Sequence, residues 1–256
     1  MMVNYTVDGP EDGPAVVLSG SLGSTHVMWD AQVPALVAAG FRVVRYDLRG
    51  HGDSPVPDGP YTLADLGGDV LALLDALGIQ RAHQVGLSIG GMVCMWLGEY
   101  AADRVDRLVL CCTAAELGGA AAWGERERIV RTGGPAAIAD MVVGRWFTAG
   151  YQAAHPAEFA AYREMIASTP TEGYAGCTAA IGGMTIAEGL GTISAPTLVI
   201  AAADDQSTTP EQGKRIADEV PSSRFEVISP GAHLINVEQP DRTTELIIGH
   251  LSGSAG

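Results

Sequence analysis

A serine between two glycines lies about a third of the way along the chain, where residues 86–90 read Gly-Leu-Ser-Ile-Gly. In this G-x-S-x-G pattern the glycines permit a very tight turn, because larger side chains two positions from the serine would collide across it. Apolar residues on both sides predict a strand before the turn and a helix after it. Since glycine is abundant in this chain, the pattern also fits a loop that packs a helix closely on a sheet.

The chemistry predicted for this turn is nucleophilic attack by Ser88. Its hydroxyl would be exposed at the N-terminus of the helix that follows, where the helix dipole favours negative charge. The backbone N–H of Ile89 is then one donor of an oxyanion hole, the site that stabilises the negative oxygen of a tetrahedral intermediate.

A candidate base and two candidate acids occur later in the chain, each just after a predicted strand. His233 lies in the loop after the last predicted strand, and Asp204 and Asp205 follow the strand before it. The carboxyl ends of parallel strands converge on one crevice, so these groups are expected near Ser88. The imidazole would take the serine proton, and the carboxylate would fix its tautomer. We prefer Asp205 as the acid, and Asp204 is the alternative.

A glycine-rich loop at residues 19–24 follows an apolar run at residues 15–18. The N–H of Ser21 or Leu22 is the predicted second donor of the oxyanion hole, although the loop also fits an ordinary tight turn. His51 lies in a polar turn beside aspartate and arginine. We interpret it as a structural hydrogen-bonding residue and not as the catalytic base.

The sequence patterns predict strands and helices in alternation, and these elements would position the candidate residues. Such alternation predicts an α/β fold, with a mostly parallel central sheet covered by helices on both faces. We expect residues 252–256 to form a flexible tail. The predicted strands are residues 15–18, 41–46, 83–85, 105–112, 196–201 and 224–228, and the predicted helices are residues 29–39, 62–77, 92–97, 210–220 and 238–251.

The alternation stops after the strand that ends near Thr113. Residues 115–191 instead carry helical patterns and are expected to form a helical lid, inserted into a core made of residues 1–114 and 192–256. The aromatic residues of this segment could equally form its own small core. Its tryptophans and arginines include Trp123, Arg126, Arg128, Arg131, Arg145 and Trp146.

Composition limits the classes of partner. The net charge of −15 and the isoelectric point near 4.6 argue against nucleic acid and anionic membranes, because the field of the protein repels phosphates. The first residues lack the pattern of a signal peptide, and no apolar run is long enough to span a bilayer, so a cytoplasmic protein is expected. The sequence does not determine the oligomeric state.

The four cysteines show no spacing typical of metal ligands, and we expect them to be free, buried thiols. A catalytic cysteine and a bound metal are therefore not expected. The cysteines are Cys94, Cys111, Cys112 and Cys177.

Across nearly its whole length the chain resembles the 3-oxoadipate enol-lactonases of the α/β-hydrolase superfamily. The order serine, acid, histidine is that of the superfamily. Within the superfamily, Ser19 is distinctive, because most relatives have histidine before the glycine. The matching segments are residues 18–23, 28–30, 46–54, 86–91, 145–148 (Arg-Trp-Phe-Thr) and 232–240 (Ala-His-Leu-Ile-Asn-Val-Glu-Gln-Pro).

This resemblance implies an enzyme of aromatic compound degradation, in the β-ketoadipate pathway. It would hydrolyse a small anionic lactone, 3-oxoadipate enol-lactone, without metal or organic cofactor. Because the protein is acidic, the substrate carboxylate requires a local cation. We expect Arg145 to supply it, with Trp123 as an apolar wall and Trp146 beside it; Arg126 or Arg131 are the alternatives.

Three other functions remain open. The site could act on another small carboxylic ester or lactone, because the fold and the triad do not define the substrate. It could hydrolyse a carbon–carbon bond with the same residues. A ligand-binding receptor on the same fold is the alternative outside enzymes.

Overall fold

A computed structural model describes residues 1–253 of the chain. Within these residues seven strands form one sheet in the spatial order β1-β3-β2-β4-β5-β6-β7, and every neighbouring pair except β1–β3 is parallel. The predicted mostly parallel sheet is confirmed. The strands are β1 (Tyr5–Asp8), β2 (Ala15–Ser19), β3 (Arg42–Tyr46), β4 (Ala82–Leu87), β5 (Val105–Cys111), β6 (Thr197–Ala202) and β7 (Ser223–Ile228).

The central strands are buried on both faces, as in sheets covered by helices on each side. Every residue of β2, β4 and β6 is buried, which explains why these strands appear in the sequence as short apolar runs. Strand β1 was missed. It is a short edge strand that pairs Tyr5 with Tyr46 of β3, and none of its residues is fully buried.

Helices before and after the inserted segment pack around this sheet. The helix predicted from Thr62 is confirmed, because the side chains of Thr62 and Asp65 form a reciprocal cap at its start. These helices are α1 (Val33–Ala38), α2 (Leu63–Ala76), α3 (Ile89–Tyr100), α9 (Pro210–Glu219), α10 (Ile235–Glu238) and α11 (Pro240–Leu251).

Three predicted helix starts were wrong, and one of them is that of α3, which begins at Ile89 and not at residue 92. The helix expected from residue 29 begins at Val33, after a short 3₁₀ helix (His26–Trp29). The closing helix is divided, because Pro240 has no N–H to continue α10 and begins α11. Of the predicted tail, residues 254–256 lie outside the described residues.

The segment between β5 and β6 is helical, as predicted. Helices α4 and α8 pack against each other, and α5 packs against α7. None of the helices in residues 1–253 has both the length and the apolar character needed to cross a bilayer. The inserted helices are α4 (Gly119–Gly133), α5 (Ala139–Trp146), α6 (Ala149–Ala154), α7 (Pro156–Ser168) and α8 (Thr171–Gly182).

His250 joins the last helix to the sheet. Its Nε2 lies 3.1 Å from the carbonyl oxygen of Pro196, just before β6, and must donate because a carbonyl only accepts. Burial lowers the pKa of His250 to about 4, and the hydrogen bond to Pro196 opposes this shift. The imidazole is therefore neutral at neutral pH.

We expect His250→Gln to reduce the acid sensitivity of the fold. Unfolded histidine titrates near pH 6.5 and folded His250 near 4, so the unfolded state binds more protons between these values. The free energy of unfolding therefore decreases as pH falls through this window. Glutamine keeps an N–H donor but does not titrate. The slope of the free energy of unfolding against pH should therefore decrease by the contribution of about one proton bound on unfolding.

Urea unfolding followed by circular dichroism at several pH values measures this difference. The control is His155→Gln, because the His155 side chain is 51% exposed. Equal pH dependence in wild type and His250→Gln would contradict the prediction.

Candidate active site

Ser88 forms the turn between β4 and α3 in a backbone conformation that is rare outside glycine. Its φ is 58° and its ψ is −120°. A methyl group on Gly86 would collide with the carbonyl of Gly90, and one on Gly90 would collide with the carbonyl of Ser19. The two glycines of the motif are therefore required by contacts between backbone segments.

Strand β5 and the residues after it hold this turn in place. The N–H of Ser88 donates to the carbonyl of Cys111 at 3.0 Å, and the hydroxyl of Thr113 donates to the carbonyl of Ser88 at 2.7 Å. A methyl group on Gly91 would lie 2.7 Å from the Cβ of Thr113. Gly91 is thus a third glycine that the turn requires, in addition to the two in the sequence motif.

His233 and Asp205 form a buried pair. The Nδ1 of His233 lies 2.8 Å from Oδ2 of Asp205, and each residue is 3% exposed. Thr208 donates its hydroxyl to the same oxygen at 2.8 Å, while the N–H groups of Ser207 and Thr208 donate to Oδ1. Burial alone would raise the pKa of Asp205, but the charge of His233 and these hydrogen bonds lower it below the usual value.

Asp204 occupies a different environment. It is exposed, and its carboxylate accepts a hydrogen bond from the N–H of Gly231 at 3.1 Å. This contact ties the loop after β6 to the loop after β7. Of the two aspartates, only Asp205 contacts the imidazole within the described residues.

The glycine-rich loop after β2 is fixed by several hydrogen bonds. The N–H of Gly90 donates to the carbonyl of Gly20 at 3.1 Å, which joins the loop to α3. The N–H of Ser21 points to the sulphur of Met28 at 3.3 Å, whereas the N–H of Leu22 has no acceptor among residues 1–253. Leu22 is therefore better placed than Ser21 to offer a free donor beside Ile89.

His51 supports the glycine-rich loop by a hydrogen bond from the protein interior. It is fully buried, and its Nε2 accepts a hydrogen bond from the N–H of Gly23 at 3.0 Å. Its Nδ1 donates to the carbonyl of Arg49 at 3.2 Å. Burial lowers the pKa of His51 to about 4, so the ring stays neutral and Nε2 stays an acceptor. These contacts agree with the structural role expected for His51.

Ser88 and His233 open onto one cavity of about 570 Å³. Among the predicted site residues, Ser21 and Leu22 also line it, as do Trp123, Arg145 and Trp146. Arg126 lines it as well. Arg131 does not, because its guanidinium pairs with Glu127 and Glu172.

Two arginines of the cavity lack a carboxylate partner within the described residues. The guanidinium of Arg126 lies 5.0 Å from the ring centre of Trp123 and 5.4 Å from that of Tyr174, and it donates to the Tyr174 hydroxyl. Its Nε is buried without an acceptor. Arg145 is exposed and forms no ion pair with residues 1–253. Both cations are therefore available to an anion in the cavity.

Thr208 was missed in the sequence, although it contacts both members of the pair. Its hydroxyl lies 3.3 Å from Nδ1 of His233 in addition to its bond to Asp205. The only signal was its spacing, since a hydroxyl three residues after an aspartate can turn back to the carboxylate.

The cysteine side chains of residues 1–253 form neither disulfides nor a group of metal ligands. The four cysteines are free and buried, as predicted, and burial raises the pKa of each thiol. Within residues 1–253 no three histidine, cysteine, aspartate or glutamate side chains are grouped to hold a metal ion.

Comparisons with known proteins show the family to which this chain belongs. The family model described as alpha/beta hydrolase fold matches residues 14–240. Two relatives come from Acinetobacter baylyi. The first, 3-oxoadipate enol-lactonase 1, is 38% identical over 96% of this chain and 92% of its own length. The second, 3-oxoadipate enol-lactonase 2, is 39% identical over 93% of this chain and 88% of its own length. The crystal structure of the enol-lactonase from Burkholderia xenovorans LB400 is 40% identical, covers 98% of this chain and 96% of its own, and superposes with a TM-score of 0.95. The chain belongs to the α/β-hydrolase fold family and, within it, to the 3-oxoadipate enol-lactonases.

Proposed function

We propose that this protein is a serine hydrolase that opens 3-oxoadipate enol-lactone to 3-oxoadipate. The observation that carries the proposal is one cavity that is lined by Ser88, His233 and two arginines, Arg126 and Arg145, that have no carboxylate partner within residues 1–253. A nucleophile and a base suit the lactone carbonyl, and a cation suits the carboxylate side arm. The two enol-lactonases of Acinetobacter baylyi support the same substrate.

The first half of the reaction forms an acyl-enzyme. The Oγ of Ser88 attacks the lactone carbonyl carbon while His233 accepts the hydroxyl proton on its second ring nitrogen, Nε2. Asp205 accepts from Nδ1 and stabilises the resulting imidazolium. The tetrahedral intermediate then collapses, the ring C–O bond breaks, and the imidazolium gives its proton to the departing enolate, which tautomerises to the ketone.

The second half of the reaction releases the product. Water attacks the acyl carbon and gives its proton to His233, and the serine oxygen leaves as it takes that proton back. The negative oxygen of each intermediate accepts hydrogen bonds from the N–H groups of Ile89 and Leu22, with Ser21 the less favourable alternative. Each such donor contributes about 3 kcal/mol to lowering the barrier.

The inserted helices supply substrate recognition in this proposal. We assign residues 115–191 as a lid over the core, because Trp123, Arg145 and Trp146 line the same cavity as Ser88. Arg145 receives the carboxylate arm, and Arg126, held between aromatic rings, is the alternative. Arg131 is discarded because it is already paired at the surface.

The first experiment is an assay of enol-lactone loss with wild type and Ser88→Ala. Because the nucleophile is required for both half-reactions, activity should fall by about a millionfold or to background. A wild type that cleaves activated esters but not this lactone would retain the serine-hydrolase mechanism and refute the substrate. A wild type that only binds lactone or releases product after a single turnover would instead support a receptor.

The two neighbouring aspartates provide a second test. Asp205→Asn should lower kcat by about 10⁴-fold, because the amide favours the wrong imidazole tautomer. Asp204→Asn should change kcat by less than about tenfold, since the exposed carboxylate only accepts from the N–H of Gly231. Steady-state kinetics measure both values, and equal losses in the two variants would contradict the assignment of Asp205.

Three arginine variants test recognition of the carboxylate. Arg145→Ala should raise KM for the anionic lactone by about 10- to 100-fold, which is the loss of one charged hydrogen bond. Arg131→Ala is the matched control and should leave KM unchanged, because Arg131 lies outside the cavity. An increase in Arg126→Ala alone would move the assignment to Arg126.

A further inference from the structure

Two segments that resemble the enol-lactonases in sequence lie about 90 residues apart, and the structure joins them. Residues 145–148 end α5 in the inserted helices, and residues 232–238 carry His233 and α10. The side chain of Glu238, which belongs to the second segment, is hydrogen-bonded to residues of both segments. Its Oε2 accepts from the N–H of Ala232 at 3.0 Å and from the N–H of Thr148 at 3.2 Å, and its Oε1 accepts from the hydroxyl of Thr148.

A further bond connects the same segments directly. The N–H of Leu234 donates to the carbonyl of Trp146 at 3.0 Å. The residues on both sides of His233 are therefore hydrogen-bonded either to Glu238 or to the segment that carries Arg145 and Trp146. The backbone distance between the histidine loop and these cavity residues is fixed by short, directional contacts and not only by packing.

From this arrangement we propose that Glu238 is a positioning residue that holds the substrate-binding end of α5 in register with His233. We call the three residues Ala232, Glu238 and Thr148 the Glu238 clamp. The inference rests on the proposed function, because it assigns the clamp the task of placing the carboxylate-binding residues at the right distance from the reacting carbonyl. Errors of about 1 Å in such placement reduce rates strongly.

A carboxylate is the group that suits this position. It offers acceptor sites on both oxygens, and the clamp presents two N–H groups and one hydroxyl. Glutamine could keep its single acceptor oxygen on the two N–H groups, because its NH₂ group would then face the Thr148 hydroxyl, which can also accept. Glu238→Ala removes both acceptor oxygens and should therefore weaken the clamp on both sides, at Thr148 and at Ala232.

Thr148 allows the lid side of the clamp to be changed while the bond from Ala232 to Glu238 is kept. Its hydroxyl donates to Glu238 and also accepts from the N–H of Tyr151 at the start of α6, and Thr148→Ser keeps both contacts. The neighbouring residue Phe147 has other supports, since Gln152 donates to its carbonyl at 2.8 Å and Tyr151 stacks on its ring at 5.0 Å. Thr148→Val removes the hydroxyl at nearly constant volume, and Thr148→Ser retains it.

The test compares two activated esters that differ by one terminal carboxylate, mono-p-nitrophenyl glutarate and p-nitrophenyl butyrate. Wild type should prefer the anionic ester. Thr148→Val should lower kcat/KM for the anionic glutarate ester about tenfold, mainly by raising KM. It should change kcat/KM for the neutral butyrate ester by less than about twofold. Thr148→Ser should retain wild-type values, and Glu238→Ala should lower kcat/KM for both esters.

The control for a purely structural effect is Tyr151→Phe, which removes the 2.6 Å bond to Glu158 but keeps the ring. It should leave the preference for the anionic ester unchanged, even where it lowers Tm as much as Thr148→Val does. Equal losses on both esters in Thr148→Val, or no loss, would overturn the clamp and leave the proposed function intact. A wild type without preference for the anionic ester would overturn carboxylate recognition and the clamp together.

Discussion

The conformation of Ser88 depends on the absence of side chains at three neighbouring positions. At Gly86, Gly90 and Gly91 a methyl group would meet the backbone of Gly90, the backbone of Ser19 and the side chain of Thr113. These contacts bring β2, β4 and the end of β5 close to the start of α3. The same close approach lets the N–H of Gly90 bind the carbonyl of Gly20, so the turn and the glycine-rich loop form one rigid unit.

The other polar groups of the site are arranged around this unit by burial. His51 must remain neutral to accept from the loop, and its burial keeps it so. Asp205 must remain charged beside His233, and hydrogen bonds offset the cost of its burial. Two arginines that line the cavity, Arg126 and Arg145, have no carboxylate partner within residues 1–253. The site thus presents localised positive charge within a protein of net charge −15.

The sequence predicted the central strands and the turn of Ser88 because they depend on local patterns. A buried parallel strand is a short apolar run, and a tight turn needs glycine at fixed spacing. Strand β1 was missed because it is only four residues long and has no buried residue, so it lacks the apolar run of a central strand. Asp204 and Asp205 could not be separated by pattern alone, since both follow β6 and only tertiary contacts decide which one is buried.

Some features of the site depend on contacts between residues far apart in the chain. The N–H of Ser21 donates to the sulphur of Met28, whereas the N–H of Leu22 has no acceptor among residues 1–253. No local signal in the loop indicates this difference. Likewise, Arg126, Arg131 and Arg145 all suit an anion by residue type. The structure places Arg126 and Arg145 at the cavity, whereas Arg131 lies outside it and pairs with Glu127 and Glu172. Such distinctions cannot be predicted from the sequence, because they depend on which side chains contact each other in the folded protein.

The position of the inserted helices has a consequence for how proteins of this fold can change their substrates. The segment leaves the sheet after β5 and returns at β6, and these two strands are neighbours paired from Leu108 with Thr197 to Cys111 with Ile200. The sheet therefore closes beneath the insertion whatever its length, and a different set of helices could be grafted there without changing the strand order. Such a graft would keep Ser88 and His233 but would also have to match the core loops that the insertion contacts, since Trp146 accepts from Leu234 and Gly176 accepts from Tyr61. Exchange of the insertion is thus constrained by these contacts as well as by its two ends.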